Sequence, residues 1–209
     1  MVTLPTKGLY AITDCEHLNT EDLITKTEGI LQSGAVLLQY RNKSNNTGLK
    51  HEQAKLLQEL SKKYHVPFII NDDVELARKI HADGVHLGRD DTTCKNARNL
   101  LGPDRIVGVS CYNDLERAVN MQENGASYIA FGAFFPTQTK NNTVKSDPVL
   151  LIEAKKILSV PIVAIGGITP ENGKVLIDSG ADFLAVINGI YSPPDPSEAA
   201  RVYTNLFKS

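Results

Sequence analysis

The sequence predicts a single (β/α)8 barrel, an α/β fold with an all-parallel sheet, over residues 1–209. Eight short apolar runs alternate with helix-length segments along the whole chain. Four of the runs follow a small-Gly-Ala or Asp-Gly step, and no linker or low-complexity stretch divides the sequence. Such alternation indicates parallel strands joined by helices. An open doubly wound sheet shares the alternation, but eight units of roughly 25 residues favour closure, in a chain shorter than the usual barrel of about 250 residues. The barrel is therefore expected to have short loops, with one long loop after its sixth strand.

The elements follow in order. Gly8–Thr13 is the first strand. Thr20-Glu21-Asp22 opens the first helix with a capping hydroxyl and acids in its first turn. Ser33-Gly34-Ala35 closes it, and Val36–Tyr40 is the second strand. In the second helix, Leu49, Leu56, Leu57, Leu60 and Tyr64 recur at helical spacing and are expected on one buried face. Pro67–Ile70 is the third strand, and Asp83-Gly84 leads into the fourth, Val85–Leu87. Arg105–Ser110 is the fifth, after which Asn113 is expected to cap a helix with Glu116 at the capping-box position. Asn124-Gly125-Ala126 precedes the sixth strand, Tyr128–Phe131. Pro161–Ile165 is the seventh, followed by Thr169-Pro170-Glu171, a cap with Pro at the first helical position. Ser179-Gly180-Ala181 leads to the eighth, Phe183–Ile187, and Asp195-Pro196 opens the last helix. Each Gly of these steps is expected at a helix end, where it enters the left-handed conformation cheaply.

Charge narrows the function. Lys and Arg total 22 against 24 Asp and Glu, a net charge of −2 without basic runs, which argues against nucleic-acid binding. No apolar run approaches the roughly 18 residues of a membrane span, and the N-terminus lacks a secretory apolar region. A cytoplasmic location is expected. Cys15, Cys94 and Cys111 form no C-x-x-C pair, so neither a zinc site nor a redox dithiol is suggested. Cys111 reads as a small buried hydrophobe. The five histidines show no ligand spacing, and none is assigned to catalysis.

In a barrel the chemistry sits just after the strands. After the second come Gln39-Tyr40-Arg41-Asn42-Lys43, whose two cations at i, i+2 can face one phosphate. After the third come Asn71-Asp72-Asp73, and after the fourth Gly88-Arg89-Asp90-Asp91. One Asp of each pair is expected to cap a helix. The others would converge at one rim, where a hard cation such as Mg²⁺ relieves their repulsion. Ser110 ends the fifth strand as a hydrogen-bond donor, with no His or Asp spaced to form a triad. The long segment after the sixth strand carries Thr137, Thr139 and Lys140 and continues through Asn141–Ser146. Gly166-Gly167 and Ile187-Asn188 follow the seventh and eighth strands, where barrels commonly bind phosphate on backbone N–H groups.

Taken in order, Gln39-Tyr40-Arg41-x-Lys43, Asn71-Asp72-Asp73, Gly84-Val85-His86-Leu87-Gly88-x-x-Asp91, Gly108-Val109-Ser110, Pro136-Thr137-x-Thr139-Lys140 and Ile165-Gly166-Gly167-Ile168 resemble the thiamine-phosphate synthase family from Leu9 to about Ile190. The resemblance implies a transferase that joins a hydroxymethylpyrimidine diphosphate to a thiazole phosphate, releasing pyrophosphate, with Mg²⁺ as cofactor. It implies Asp72 and Asp91 as metal ligands, and Arg41, Lys43 and Lys140 as diphosphate contacts. Gln39, Asn71 and Ser110 match its pyrimidine side, with Tyr40 in the same motif. Thr137, Thr139, Gly167, Ile187 and Asn188 match its thiazole-phosphate side. Arg41, Lys43, Ser110 and Lys140 are the implied catalytic set. Asn188 departs from the family, which often has Ser there, although Asn also donates to phosphate. A thiazole-phosphate tautomerase-type paralogue, a phosphosugar isomerase or aldolase, and a non-catalytic product-binding module are the competing readings. The oligomeric state is left open, a homo-oligomer included.

Overall fold

The computed structural model describes residues 3–137 and 146–208. Eight parallel strands close in sequence order: β1 (Gly8–Ile12), β2 (Leu37–Tyr40), β3 (Phe68–Asn71), β4 (Gly84–Leu87), β5 (Ile106–Tyr112), β6 (Tyr128–Phe131), β7 (Ile162–Ile165) and β8 (Phe183–Val186). Between and after them run α1 (Thr20–Gln32), α2 (Thr47–Lys63), α3 (Val74–Lys79), α4 (Cys94–Leu101), α5 (Leu115–Glu123), α6 (Val149–Ile157), α7 (Pro170–Asp178), the one-turn α8 (Asn188–Tyr191) and α9 (Pro196–Asn205). The closed order rules out the open sheet. Pairing of β1 with β8, Tyr10 opposite Ala185, seals the barrel.

Strand alternation divides the core in two. Outward side chains such as Leu9, Leu38, Phe68, Val85, Ile129 and Leu184 pack under the helices. Inward ones, including Tyr10, Ile12, Leu37, Ile69, Ile106, Tyr128, Val163 and Phe183, fill the barrel. Inward positions nearer the C-terminal ends are Gln39, Asn71, His86 and Ser110, so the lumen turns polar towards one rim.

Several local expectations are corrected. Asn19, not Thr20, caps α1, its side chain accepting from Asp22 N–H at 2.9 Å. Asp114, not Asn113, caps α5, because Asn113 still belongs to the turn that leaves β5. Leu56 is exposed on α2; the buried stripe there includes Gln53 and Gln58 instead. These amides are satisfied, Gln58 by the carbonyls of Ile80 and His81 and Gln53 by the hydroxyls of Tyr40 and Thr20, so apolarity alone did not mark the buried face. Gly34, Gly125 and Gly180 do take positive φ at helix ends. Gly84 does not: it lies inside β4, and His81 takes the left-handed position after α3. A Cβ on Gly84 would stand 2.2 Å from the Ile106 carbonyl oxygen, so close strand approach explains that glycine. Among the described residues no helix is long and apolar enough to cross a membrane.

Candidate active site

A cavity of about 620 Å³ opens at the C-terminal rim of the barrel, within the range of small-molecule sites. Gln39, Arg41, Lys43, Asn71, Asp72, Ser110, Thr137, Gly167, Ile187 and Asn188 line it, drawn from six different strand ends. Tyr40 does not. The alternation of β2 turns it outward, where it is buried under α2 and its hydroxyl donates to Gln53 Oε1 at 2.9 Å. Its assignment to substrate binding is corrected accordingly. Thr139, Lys140 and the segment 141–145 lie outside the described residues.

One side of the rim is ionic. The Lys43 ammonium donates to the Asp72 carboxylate. Asp72 has φ +62°, a left-handed conformation, and its N–H donates to the His86 carbonyl across β3 and β4 at 2.8 Å. This turns its side chain away from helix-capping duty. Asp73 caps α3 instead, accepting from Leu76 N–H at 2.9 Å. On the next strand end neither acid caps: Thr93 caps α4, and Asp91 accepts from Gly88 N–H at 2.6 Å. Asp72 and Asp91 lie close enough to shift each other's titration. Desolvation opposes the charge on Asp72, but Lys43 and Asp91 outweigh it and hold this carboxyl below its usual value. Desolvation, and next the Asp72 carboxylate, push Asp91 up. Arg41 anchors through its N–H to Thr13 Oγ1 at 2.9 Å, and its guanidinium stands 3.4 Å from Glu16.

The opposite side is built from backbone. Gly166 and Gly167 follow β7 with φ +104° and +62°. The chain leaving β6 lies directly on them, Phe134 N–H and Phe135 N–H donating to the carbonyls of Ile165 and Gly166 at 3.2 and 3.0 Å. A Cβ on Gly167 would meet the Pro136 carbonyl oxygen at 2.3 Å. Asn172 fastens this turn, accepting from Thr169 N–H at 2.8 Å and donating to the Gly167 carbonyl at 3.1 Å. Beside it, Asn188 begins the single turn α8. Tyr203 from α9 supports both loops, its hydroxyl donating to the Ile168 carbonyl at 2.9 Å.

Below the rim, a side-chain chain crosses the barrel interior. Gln39 Nε2 donates to the Tyr10 hydroxyl at 2.7 Å, and Tyr10 and Tyr128 share a hydrogen bond of 2.7 Å. Tyr128 meets His86 Nδ1 at 2.9 Å, and His86 Nε2 meets Ser110 Oγ at 2.9 Å. Burial pushes both tyrosines well above their ordinary pKa, so they stay protonated hydroxyls. Ser110 thus has a histidine partner after all, supplied by the neighbouring strand and invisible to sequence spacing. Tyr10, His86 and Tyr128 were missed. Their inward register on β1, β4 and β6, placed by counting in twos from Ile12, Gly88 and Ala130, was the available signal. Cys111 is fully buried, and burial pushes its thiol up to about 12, which fits a packing role.

A closed eight-stranded barrel with a polar cavity at its C-terminal rim defines a TIM-barrel enzyme acting on small molecules. The family model for thiamine monophosphate synthase matches residues 9–190. The chain belongs to this family, which makes it a transferase. It is 47% identical over 203 residues to the thiamine-phosphate synthase of Nitrosococcus oceani, covering 97% of this chain and 94% of that one. It is 49% identical over 201 residues to that of Xylella fastidiosa, covering 96% and 85%. A solved thiamine phosphate pyrophosphorylase from Pyrococcus furiosus superposes with a TM-score of 0.87 at 30% identity, covering 97% and 96%.

Proposed function

We propose that this barrel condenses 4-amino-2-methyl-5-hydroxymethylpyrimidine diphosphate with 4-methyl-5-(2-phosphoethyl)thiazole, giving thiamine phosphate and pyrophosphate. One observation carries the reading: a single cavity has a cation-and-carboxylate rim at β2–β4 and a glycine-rich backbone rim at β7–β8. Two phosphorylated halves can therefore enter from opposite sides and meet in the middle. Gln39, Asn71 and Ser110 hold the pyrimidine. Gly167, Ile187, Asn188 and Thr137, with Thr139, hold the thiazole phosphate. Lys43 and Arg41, joined by Lys140 of the family motif, neutralise the charge that grows on the diphosphate as it leaves.

The C–O bond between the pyrimidine methylene and the diphosphate breaks first, its electron pair leaving with pyrophosphate. The amino-substituted ring stabilises the methylene cation, and the thiazole nitrogen then donates its pair to that carbon. No protein nucleophile is needed; the site positions two substrates and holds charge. Asp72 and Asp91 suit Mg²⁺: they are adjacent hard oxygen donors, and that ion takes one or two carboxylates with the rest of its shell from phosphate and water. When bound, Mg²⁺ would add positive charge against the diphosphate.

The test mixes both substrates with Mg²⁺ and follows thiamine phosphate and pyrophosphate together. Equal amounts of the two products are expected; folded protein that forms neither would overturn the reading. A pH dependence follows from Asp91. Its carboxyl is raised, so it takes up a proton at a higher pH than an ordinary Asp, and that proton competes with the cation. The Mg²⁺ concentration needed for half-maximal rate should rise as pH falls from neutrality into the carboxylate range, beginning at a higher pH than an ordinary Asp would set. A requirement unchanged over that range would remove the pair as metal ligands.

A further inference from the structure

The chain Gln39–Tyr10–Tyr128–His86–Ser110 joins two cavity-wall residues through the barrel interior; Tyr128 is enclosed, while Tyr10 and His86 also border the cavity. Tyr10 and Tyr128 are fully buried, Gln39 nearly so, and Tyr10 meets only Gln39 and Tyr128 through its hydroxyl among the described residues. Tyr128 is clamped edge-on against Tyr10 at 5.8 Å and stacked on His86 at 5.7 Å. Rotating it out of the chain is not open to it.

In such a chain the proton positions are not independent. With the Gln39 amide N–H donating to Tyr10, the Tyr10 O–H must donate to Tyr128, since no other acceptor among the described residues is in reach. Tyr128 then donates to His86 Nδ1, the ring proton sits on Nε2 and donates to Ser110, and the Ser110 O–H is left to donate into the cavity. The Gln39 carbonyl, which accepts no hydrogen bond among the described residues, is the amide's remaining polar end. Reversing any single link sets two donors or two acceptors face to face and loses a hydrogen bond of the chain. The whole chain can reverse only if the amide also turns, offering N–H₂ to the cavity while Ser110 becomes an acceptor.

We propose that this relay makes Gln39 and Ser110 switch together, so that the site reads an acceptor–donor pair as one unit. The polarity seen, Gln39 accepting and Ser110 donating, fits a ring with an exocyclic amino group beside an unprotonated ring nitrogen. It rejects the oxo counterpart, whose carbonyl and ring N–H present the opposite pair. Tyr10, Tyr128 and His86 are then positioning residues that set selectivity through Gln39 and Ser110. This rests on the reading that the pyrimidine half lies between those two residues.

The experiment titrates 4-amino-5-hydroxymethyl-2-methylpyrimidine and its 4-oxo analogue, both as unreactive alcohols, against wild type, Tyr128→Phe and Tyr10→Phe. Wild type should bind the amino compound at least about tenfold more tightly, and Tyr128→Phe should bring the ratio to within about threefold. Tyr10→Phe, in which Tyr128 can still donate to His86, should fall between them. A full preference kept by both variants would overturn the relay, because loss of packing alone weakens both ligands alike. The ¹⁵N spectrum of His86 in the ligand-free wild type gives an independent readout, which holds even if a variant fails to fold. The Nε2–H tautomer supports the proposed polarity and the Nδ1–H tautomer overturns it. If wild type binds neither pyrimidine while showing Nε2–H, the pyrimidine reading and the selectivity fall together, and the proton order of the relay stands.

Discussion

Asp72→Asn is expected to lower turnover by on the order of a thousandfold while leaving the urea unfolding midpoint nearly unchanged. The substitution keeps size and hydrogen-bonding shape but removes the charge that holds Lys43 and neighbours Asp91. Asn is the cleaner probe than Ala, because φ here is +62° and Asn tolerates that region better than other non-glycine residues. Asp72→Ala would add backbone strain to the loss of charge and blur the two. The backbone bond from residue 72 to the His86 carbonyl survives in either variant. Asp91→Asn should act in the same direction, since an amide oxygen can still accept from Gly88 but no longer carries charge. Steady-state turnover at saturating substrates, beside urea denaturation, checks both. Activity within tenfold of wild type would remove that residue from the metal site.

Gly108→Ala should destabilise the barrel by about 3 kcal/mol or more, near the upper end for overpacked cores. Gly108 pairs with Tyr128 across β5 and β6, and an added Cβ would lie 1.9 Å from Tyr128 Cζ and 2.2 Å from its hydroxyl oxygen. The ring has no room to yield between Tyr10 and His86, and moving it breaks a buried and a part-buried hydrogen bond. Gly48→Ala is the matched control. Gly48 sits in the first turn of α2, where a new Cβ comes no closer than 3.5 Å to the Asn46 side chain. That change should stabilise by a few tenths to about 1 kcal/mol. Urea midpoints give both signs. A loss under about 1 kcal/mol at position 108 would mean that Tyr128 is free to shift.

How far these features could be read in advance depended on how far apart the interacting residues lie in the chain. Eight strand runs, their order and the glycine turn after β7 are local signals, and all emerged where expected. Helix starts slipped by a residue, Asn19 for Thr20 and Asp114 for Asn113, because adjacent polar residues compete for one cap and packing picks between them. Of the paired acids, Asp73 capped and Asp72 did not, which depended on a left-handed turn pinned by a carbonyl of β4. Tyr40 stood in a rim motif beside Gln39, yet one step along a strand reverses the direction of a side chain.

Apolar periodicity, glycine placement and the polar residues after each run were enough to mark eight alternating units, to favour a barrel, and to point to the strand ends that line the cavity. Those signals are carried within a few residues, where backbone geometry couples neighbours directly. Only the tertiary structure decided which groups meet across the lumen. Ser110 and His86 are 24 positions apart and Tyr10 and Tyr128 are 118 apart. Closing the sheet sets such residues at one level of the barrel, and a buried hydroxyl, denied water, then takes its partner from whichever strand stands opposite.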